Sequence, residues 1–191
     1  MSLPRAILLT GFLLLFPLPC HRDSDAEIPQ EVPLLAAAPL SAYDAVLRKV
    51  AAEEDWDWRL LAAVVYHESR FTNEATSRKG ATGLMQIRSS RYSEESLLDP
   101  ETNLSIGARY LKKLQGMFPA ASPVENLKFA LAAFNLGDGR IRNLRTEAEA
   151  AGADTGYWDN VAALLPEGHR TPVYVEKVLD TYDAYRRRYG D

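Results

Sequence analysis

The chain has little of the chemistry that most metal and redox sites need. One cysteine, Cys20, stands among 191 residues, which excludes an internal disulfide and a cysteine-based metal cluster. There are three histidines, His21, His67 and His169, and they are scattered. His67 opens the sequence HESRF, but Phe71 occupies the place where a zinc-binding HExxH helix needs its second histidine. The glycine-rich stretch GATGLMQ lacks the Gly-Lys-Ser/Thr ending of a phosphate loop. No metal and no organic cofactor is expected. No basic patch of nucleic-acid type stands out, and the net charge is -4 with a pI near 5.5, so nucleic acid is not an expected partner. Long period-two alternation is missing, and so is any repeat at solenoid spacing. The longest apolar run, residues 6–16, has eleven residues, too few to cross a bilayer.

That run does suit secretion. Arg5 precedes AILLTGFLLLF, and a strongly polar segment follows, the pattern of a signal peptide over residues 1–20. Cys20, shortly after the run, suggests a bacterial lipoprotein signal with the lipid on Cys20. Such signals resemble Leu at the third place before the cysteine and a small residue just before it, whereas Pro17 and Pro19 stand there. The expected location is outside the cytoplasm, in the periplasm, with membrane attachment through Cys20. Residues 21–40 are rich in acids and prolines and read as a flexible linker. A domain is expected over residues 41–191.

Within it the signals are helical. Ser41 with Asp44 resembles a capping box, and Tyr43, Val46, Leu47 and Val50 follow at helical spacing. Asp55 or Asp57 can cap a second helix that runs to Glu68. Residues 73–92, with Gly80, Gly83 and many small polar residues, read as a loop or short hairpin. Asn103 is a candidate cap for a third helix. Ser122-Pro123-Val124-Glu125 is a capping box with proline at the first helical position. Further helices are expected over about 139–151 and 157–164, and from Thr171-Pro172 onward, where Val175, Val178, Leu179, Tyr182 and Tyr185 share a face. The fold class is mainly α, with six or seven helices around one irregular loop.

One residue breaks the helical logic. In LLAAVVYHESRF, residues 60–71, Glu68 lies seven, four and three residues after Leu61, Val64 and Val65, so a carboxylate projects from an apolar face. Lost hydration disfavours its charged form and raises its pKa. A carboxyl that keeps its proton near neutrality can donate it to a leaving glycosidic oxygen. The pattern alone also fits a glutamate reaching solvent at a frayed helix end.

The residues that follow decide between these. HESRFTNEATSRKGATGLMQI, residues 67–87, resembles the catalytic motif of the soluble lytic transglycosylases, a family with a lysozyme-like fold that cleaves the glycan strands of bacterial peptidoglycan. It contains Glu68-Ser69, Ser77, and Gly80-Ala81-Thr82-Gly83-Leu84-Met85-Gln86. DPETNLSIGARYL from Asp99, ALAAFNLGDGRI from Ala130 and YVEKVL from Tyr174 resemble three further blocks of the family in order. The C-terminal blocks look most like the membrane-bound F-type branch, without a counterpart of its amino-terminal solute-binding domain.

The resemblance implies roles. Glu68 is then the single acid and base. It protonates the oxygen between N-acetylmuramic acid and N-acetylglucosamine, then deprotonates the muramic C6 hydroxyl, which closes a 1,6-anhydro ring. The substrate's own N-acetyl group stabilises the positive charge, a recognised exception to the two-carboxylate rule. Ser77 holds that N-acetyl group or braces the loop. Gly83 allows close backbone approach, and Gln86 offers donor and acceptor to a sugar. Met85 floors the cleft or packs in the core. Asn135 contacts substrate or ends a helix, and Tyr174 orients Glu68 through its hydroxyl or fills the core. Phe134 stands where the family commonly has Tyr, which keeps sugar stacking and loses a hydroxyl. Arg170 stands where many relatives have a second Glu. The alternatives are a goose-type lysozyme-like hydrolase, with Glu74, Asp99 or Glu101 as second carboxylate, and a peptidoglycan-binding protein with an impaired cleft.

Overall fold

A computed structural model describes residues 38–88 and 91–190. The signal segment, Cys20 and residues 21–37 of the expected linker lie outside the described residues. The compact unit is Ala37–Asp191. Among the described residues it holds eight helices: α1 Asp44–Glu53, α2 Trp58–Ser69, α3 Glu94–Leu98, α4 Pro100–Met117, α5 Pro123–Leu136, α6 Asp138–Ala150, α7 Trp158–Ala162 and α8 Arg170–Tyr189. Seven answer to the helices expected from the sequence. The eighth is α3, a five-residue turn capped by Ser93.

The buried helices follow from their composition. In α2, six consecutive residues from Leu60 to Val65 are at most 3% exposed, so the helix is apolar on every side, as a central helix must be. Each large aliphatic side chain buried this way contributes about 1.5–3 kcal/mol. Asp57 caps α2: its carboxylate accepts from the Arg59 N–H and from the Arg59 guanidinium. Five consecutive residues of α5, Phe129–Ala133, are likewise fully buried. α2 packs on α1 and α8, while α5 packs on α4, α6, α7 and α8. The Ser41–Asp44 start forms in half: Asp44 accepts from the Ser41 backbone N–H and hydroxyl.

One expected cap is corrected. Asp99, not Asn103, caps the helix that carries Leu104 to Leu114. Its carboxylate accepts from the Thr102 N–H, and Pro100 takes the first helical position, where a missing N–H costs nothing. Asn103 is therefore inside α4 and fully buried. Its Oδ1 accepts from Met85 N–H at 2.8 Å, and its Nδ2 donates to the Thr82 and Leu97 carbonyls. One amide side chain thus ties the irregular loop to a rigid helix.

The loop itself forms two isolated bridges, Thr76 with Thr82 and Thr82 with Ile87, in place of regular strands. Gly83 turns within it at φ +81°, and a Cβ there would overlap the Asn103 side chain and lie 2.5 Å from the Leu97 carbonyl oxygen.

Candidate active site

α2 ends abruptly after the residue that matters. Arg70 and Phe71 both adopt left-handed backbone, φ 54° and 59°, and so does Gln86 at 50°. Such conformations cost non-glycine residues free energy and cluster where geometry serves function. The Ser69 hydroxyl donates back to the Val65 carbonyl at 3.3 Å, closing the last turn. Glu68 is left half-buried at the wall of a cleft of about 940 Å³.

Tyr174, in the second turn of α8, reaches across and donates its hydroxyl to Glu68 Oε1 at 2.7 Å. Burial pushes the Glu68 carboxyl above its ordinary value, and the Tyr174 hydrogen bond offsets part of that rise. Burial, together with the neighbouring Glu68 charge, pushes Tyr174 well up, so the phenol keeps its proton and remains a donor. α8 is fixed against α2 at two further points. His67 Nε2 and Thr181 Oγ1 lie 2.8 Å apart, and the Tyr182 hydroxyl donates to Asp57 at 2.8 Å.

The structure brings Glu68, Ser77, Gln86, Phe134 and Asn135 together in the cleft lining. Ser77 Oγ accepts from the Ala81 N–H at 3.0 Å, so its hydroxyl braces the turn and still has a proton to donate. Gln86 spends its amide N–H groups on the Ala75 and Gly83 carbonyls, which leaves its oxygen as an acceptor. Asn135 Oδ1 accepts from the buried Thr171 hydroxyl at 2.8 Å. Phe134 packs beside Tyr110, ring centroids 5.8 Å apart, and both line the cleft.

Met85 and Gly83 are elsewhere. Met85 is fully buried against Gly107, where a Cβ would collide with its sulfur, and it supports the loop from within the core. Gly83 serves the close approach to Asn103 rather than lining the cleft.

Glu68 is the one carboxylate among the described residues that line the cleft. Glu74 is exposed, Asp99 is occupied in capping α4, and Glu101 pairs with Lys49 at 2.6 Å. Glu167 precedes α8 and Arg170 is its first residue, and neither lines the cleft. The described residues contain no group of three or more His, Cys, Asp or Glu side chains that could hold a metal ion. Sequence reasoning missed Tyr110 and the cations Lys79, Arg88, Arg91, Arg109 and Lys113, all of which line the cleft.

Residues 45–155 match the Transglycosylase SLT domain family. A membrane-bound lytic murein transglycosylase F of Marinobacter nauticus is 33% identical over 168 residues, covering 78% of this chain and 34% of that protein. The chain thus spans about a third of the length of this relative. The crystal structure of the 70 kDa soluble lytic transglycosylase of Escherichia coli superposes with a TM-score of 0.64 at 28% identity, covering 80% of this chain and 25% of that one. A complex of the 70-kDa soluble lytic transglycosylase with bulgecin A superposes with a TM-score of 0.62 at 28% identity, covering 78% and 25%.

Proposed function

The chain belongs to the transglycosylase SLT domain family, and from that premise we propose that it is a lytic transglycosylase of bacterial peptidoglycan. Glu68 alone serves as acid and base. Its protonated carboxyl donates to the oxygen between N-acetylmuramic acid and N-acetylglucosamine as the bond to muramic C1 breaks. The N-acetyl carbonyl oxygen of the same sugar supports the positive charge at C1, with Ser77 donating to hold that group. The Glu68 carboxylate then takes the proton of the C6 hydroxyl, and O6 closes onto C1. The products are a free N-acetylglucosamine 4-hydroxyl and a 1,6-anhydro muramic end. The proton returns to Glu68, and no water is consumed.

The observation that carries this reading is a solitary, half-buried carboxyl held by Tyr174 with no second carboxylate beside it among the described cleft residues. An inverting hydrolase needs a second carboxylate about 6.5–9.5 Å away to activate water, and a retaining one needs a nucleophile at about 5–5.5 Å. Digestion in water enriched in oxygen-18 tests it. Transglycosylation leaves the new muramic ends unlabelled, whereas hydrolysis labels every one. The related 70-kDa enzyme forms a complex with bulgecin A; on this reading bulgecin A also binds this chain, and titration should show it competing with glycan strands.

Export through residues 1–20 and a lipid on Cys20 complete the reading. The membrane-bound character named for the relatives supports it. No described helix is long and apolar enough to cross a membrane. Metabolic labelling with a palmitate analogue, compared with Cys20→Ala, checks this; equal labelling of both proteins contradicts it.

A further inference from the structure

The start of α8 serves two cleft residues at once. Thr171 and Tyr174 lie three residues apart, so their side chains leave the helix on one face. Tyr174 reaches Glu68 at the end of α2. Thr171 reaches Asn135 at the end of α5, where its hydroxyl donates to Oδ1 at 2.8 Å. Thr171 is 1% exposed and does not line the cleft, whereas Asn135 is exposed and does. Thr171 is the second residue of α8, so no helical turn precedes it to offer the hydroxyl a carbonyl four residues back. If the Asn135 amide turned over, Nδ2 would donate to Thr171, and the hydroxyl proton would lose its acceptor in a place sealed from water. The amide is therefore held with Oδ1 toward Thr171, which leaves the two N–H groups of Nδ2 for the cleft. The backbone on both sides is fixed. The Thr171 N–H donates to His169 Nδ1 at 3.2 Å, and the Gly137 N–H closes the end of α5 on the Ala133 carbonyl at 2.8 Å.

Resting on the glycan-cleaving reading, we propose that Thr171 is a positioning residue for substrate binding. It locks the Asn135 amide so that the cleft meets the glycan there with a hydrogen-bond donor and not with an acceptor. The group recognised is an acceptor oxygen of the strand. The second amide of the cleft is locked the opposite way, because Gln86 gives its N–H groups to the Ala75 and Gly83 carbonyls and keeps its oxygen. Two amides of fixed and opposite polarity are thus ready before the sugar arrives. An amide free to turn offers the wrong group part of the time, so a ligand binds only the competent fraction and has to order the rest. α8 then divides its work: Tyr174 acts on the acid, and Thr171 acts on binding.

The test compares the wild type with Thr171→Val, which removes the hydroxyl at similar volume, and Thr171→Ser, which keeps it. On soluble glycan strands kcat/KM falls about fivefold in the Val variant, mainly through KM, and the Ser variant stays within about twofold of wild type. Kd for the same strands, measured in a Glu68→Gln background, weakens to match. The pH profile separates positioning from damage. A displaced α8 would disturb the Tyr174 bond and move the alkaline limb, whereas the limb of the Val variant stays at its wild-type position. In an Asn135→Ala background Thr171→Val has no further effect, because the residue acts through Asn135. Asn135→Asp, which can only accept at neutral pH, loses as much as Asn135→Ala. A Val loss that persists in the Asn135→Ala background, or a shifted limb, overturns the positioning role. An Asn135→Asp variant with wild-type KM overturns the donor polarity. Nitrogen-15 relaxation of the Asn135 side-chain amide reads the lock without any substrate. It is rigid in the wild type and in Thr171→Ser and mobile in Thr171→Val; equal mobility in all three overturns the proposal. If the wild type yields no anhydro product from any strand, the glycan-cleaving reading fails, and the relaxation measurement still decides whether Thr171 holds the amide.

Discussion

The Tyr174 hydroxyl donates to Glu68 Oε1 at 2.7 Å across a separation of 106 residues. This bond joins the end of α2 to the start of α8. It does two opposed things. It orients the carboxyl, and it lowers a pKa that burial has raised.

Tyr174→Phe separates the two effects. Losing the donor lets burial act unopposed, so the Glu68 carboxyl holds its proton to higher pH and the alkaline limb of the kcat/KM profile moves up. The rate at the optimum falls about 10- to 100-fold because the acid is no longer aimed. A pH profile of both proteins checks this. A rate loss with an unmoved limb contradicts it.

Glu68→Gln should stabilise the protein in a pH-dependent way. The folded carboxyl titrates above its ordinary value of 4.5, so between that value and its folded value the unfolded state has lost the proton and the folded state keeps it. Wild-type stability therefore falls as pH rises through this window. The Gln variant does not titrate, so its Tm advantage is absent below the window and reaches a plateau above it. Thermal melts across pH measure this directly.

The order of helices and the projection of Glu68 from an apolar helix face were legible because strong periodicity and a misplaced charge are local signals, whereas the contact between Tyr174 and Glu68 was suggested only by the family resemblance. α3 was not, since five residues are too few to show a period. Asn103 looked like a cap because Asn at a helix start usually is one; the earlier Asp99-Pro100 pair won, and the amide went to the loop. Met85 carried two readings, and only the packing places it in the core. The cleft cations were not legible for a different reason. Each charge alone resembles a solvated surface residue, and only folding brings the loop and α4 to one cleft.

Asn103→Ala removes a buried group that satisfies the Met85 N–H and the Thr82 and Leu97 carbonyls. Leaving those groups unpaired costs about 3 kcal/mol. The urea midpoint should drop accordingly, and the Met85 amide should exchange much faster. An unchanged midpoint contradicts the account of the loop.

Tyr182→Phe weakens the second clasp between α2 and α8. The Tyr182 hydroxyl, pushed up to about 12 by burial and Asp57, donates to that carboxylate. Burial pushes the Asp57 carboxyl up, but hydrogen bonds from Arg59 and Tyr182 outweigh it and leave it below its ordinary value of 3.8. The variant loses about 1 kcal/mol at neutral pH. Because the depressed pKa stabilises the fold above the ordinary value, the difference shrinks as pH falls through the folded Asp57 pKa. Denaturation at several pH values reads both.

The central claim is that Glu68 works alone, as acid and then base, to close a 1,6-anhydro ring. Mass spectrometry of sacculi digested with the wild type and with Glu68→Gln tests it most directly. Anhydro-muropeptides from the wild type and none from the variant are the expected result. Reducing muramic ends from the wild type, or anhydro products from both proteins, would contradict it.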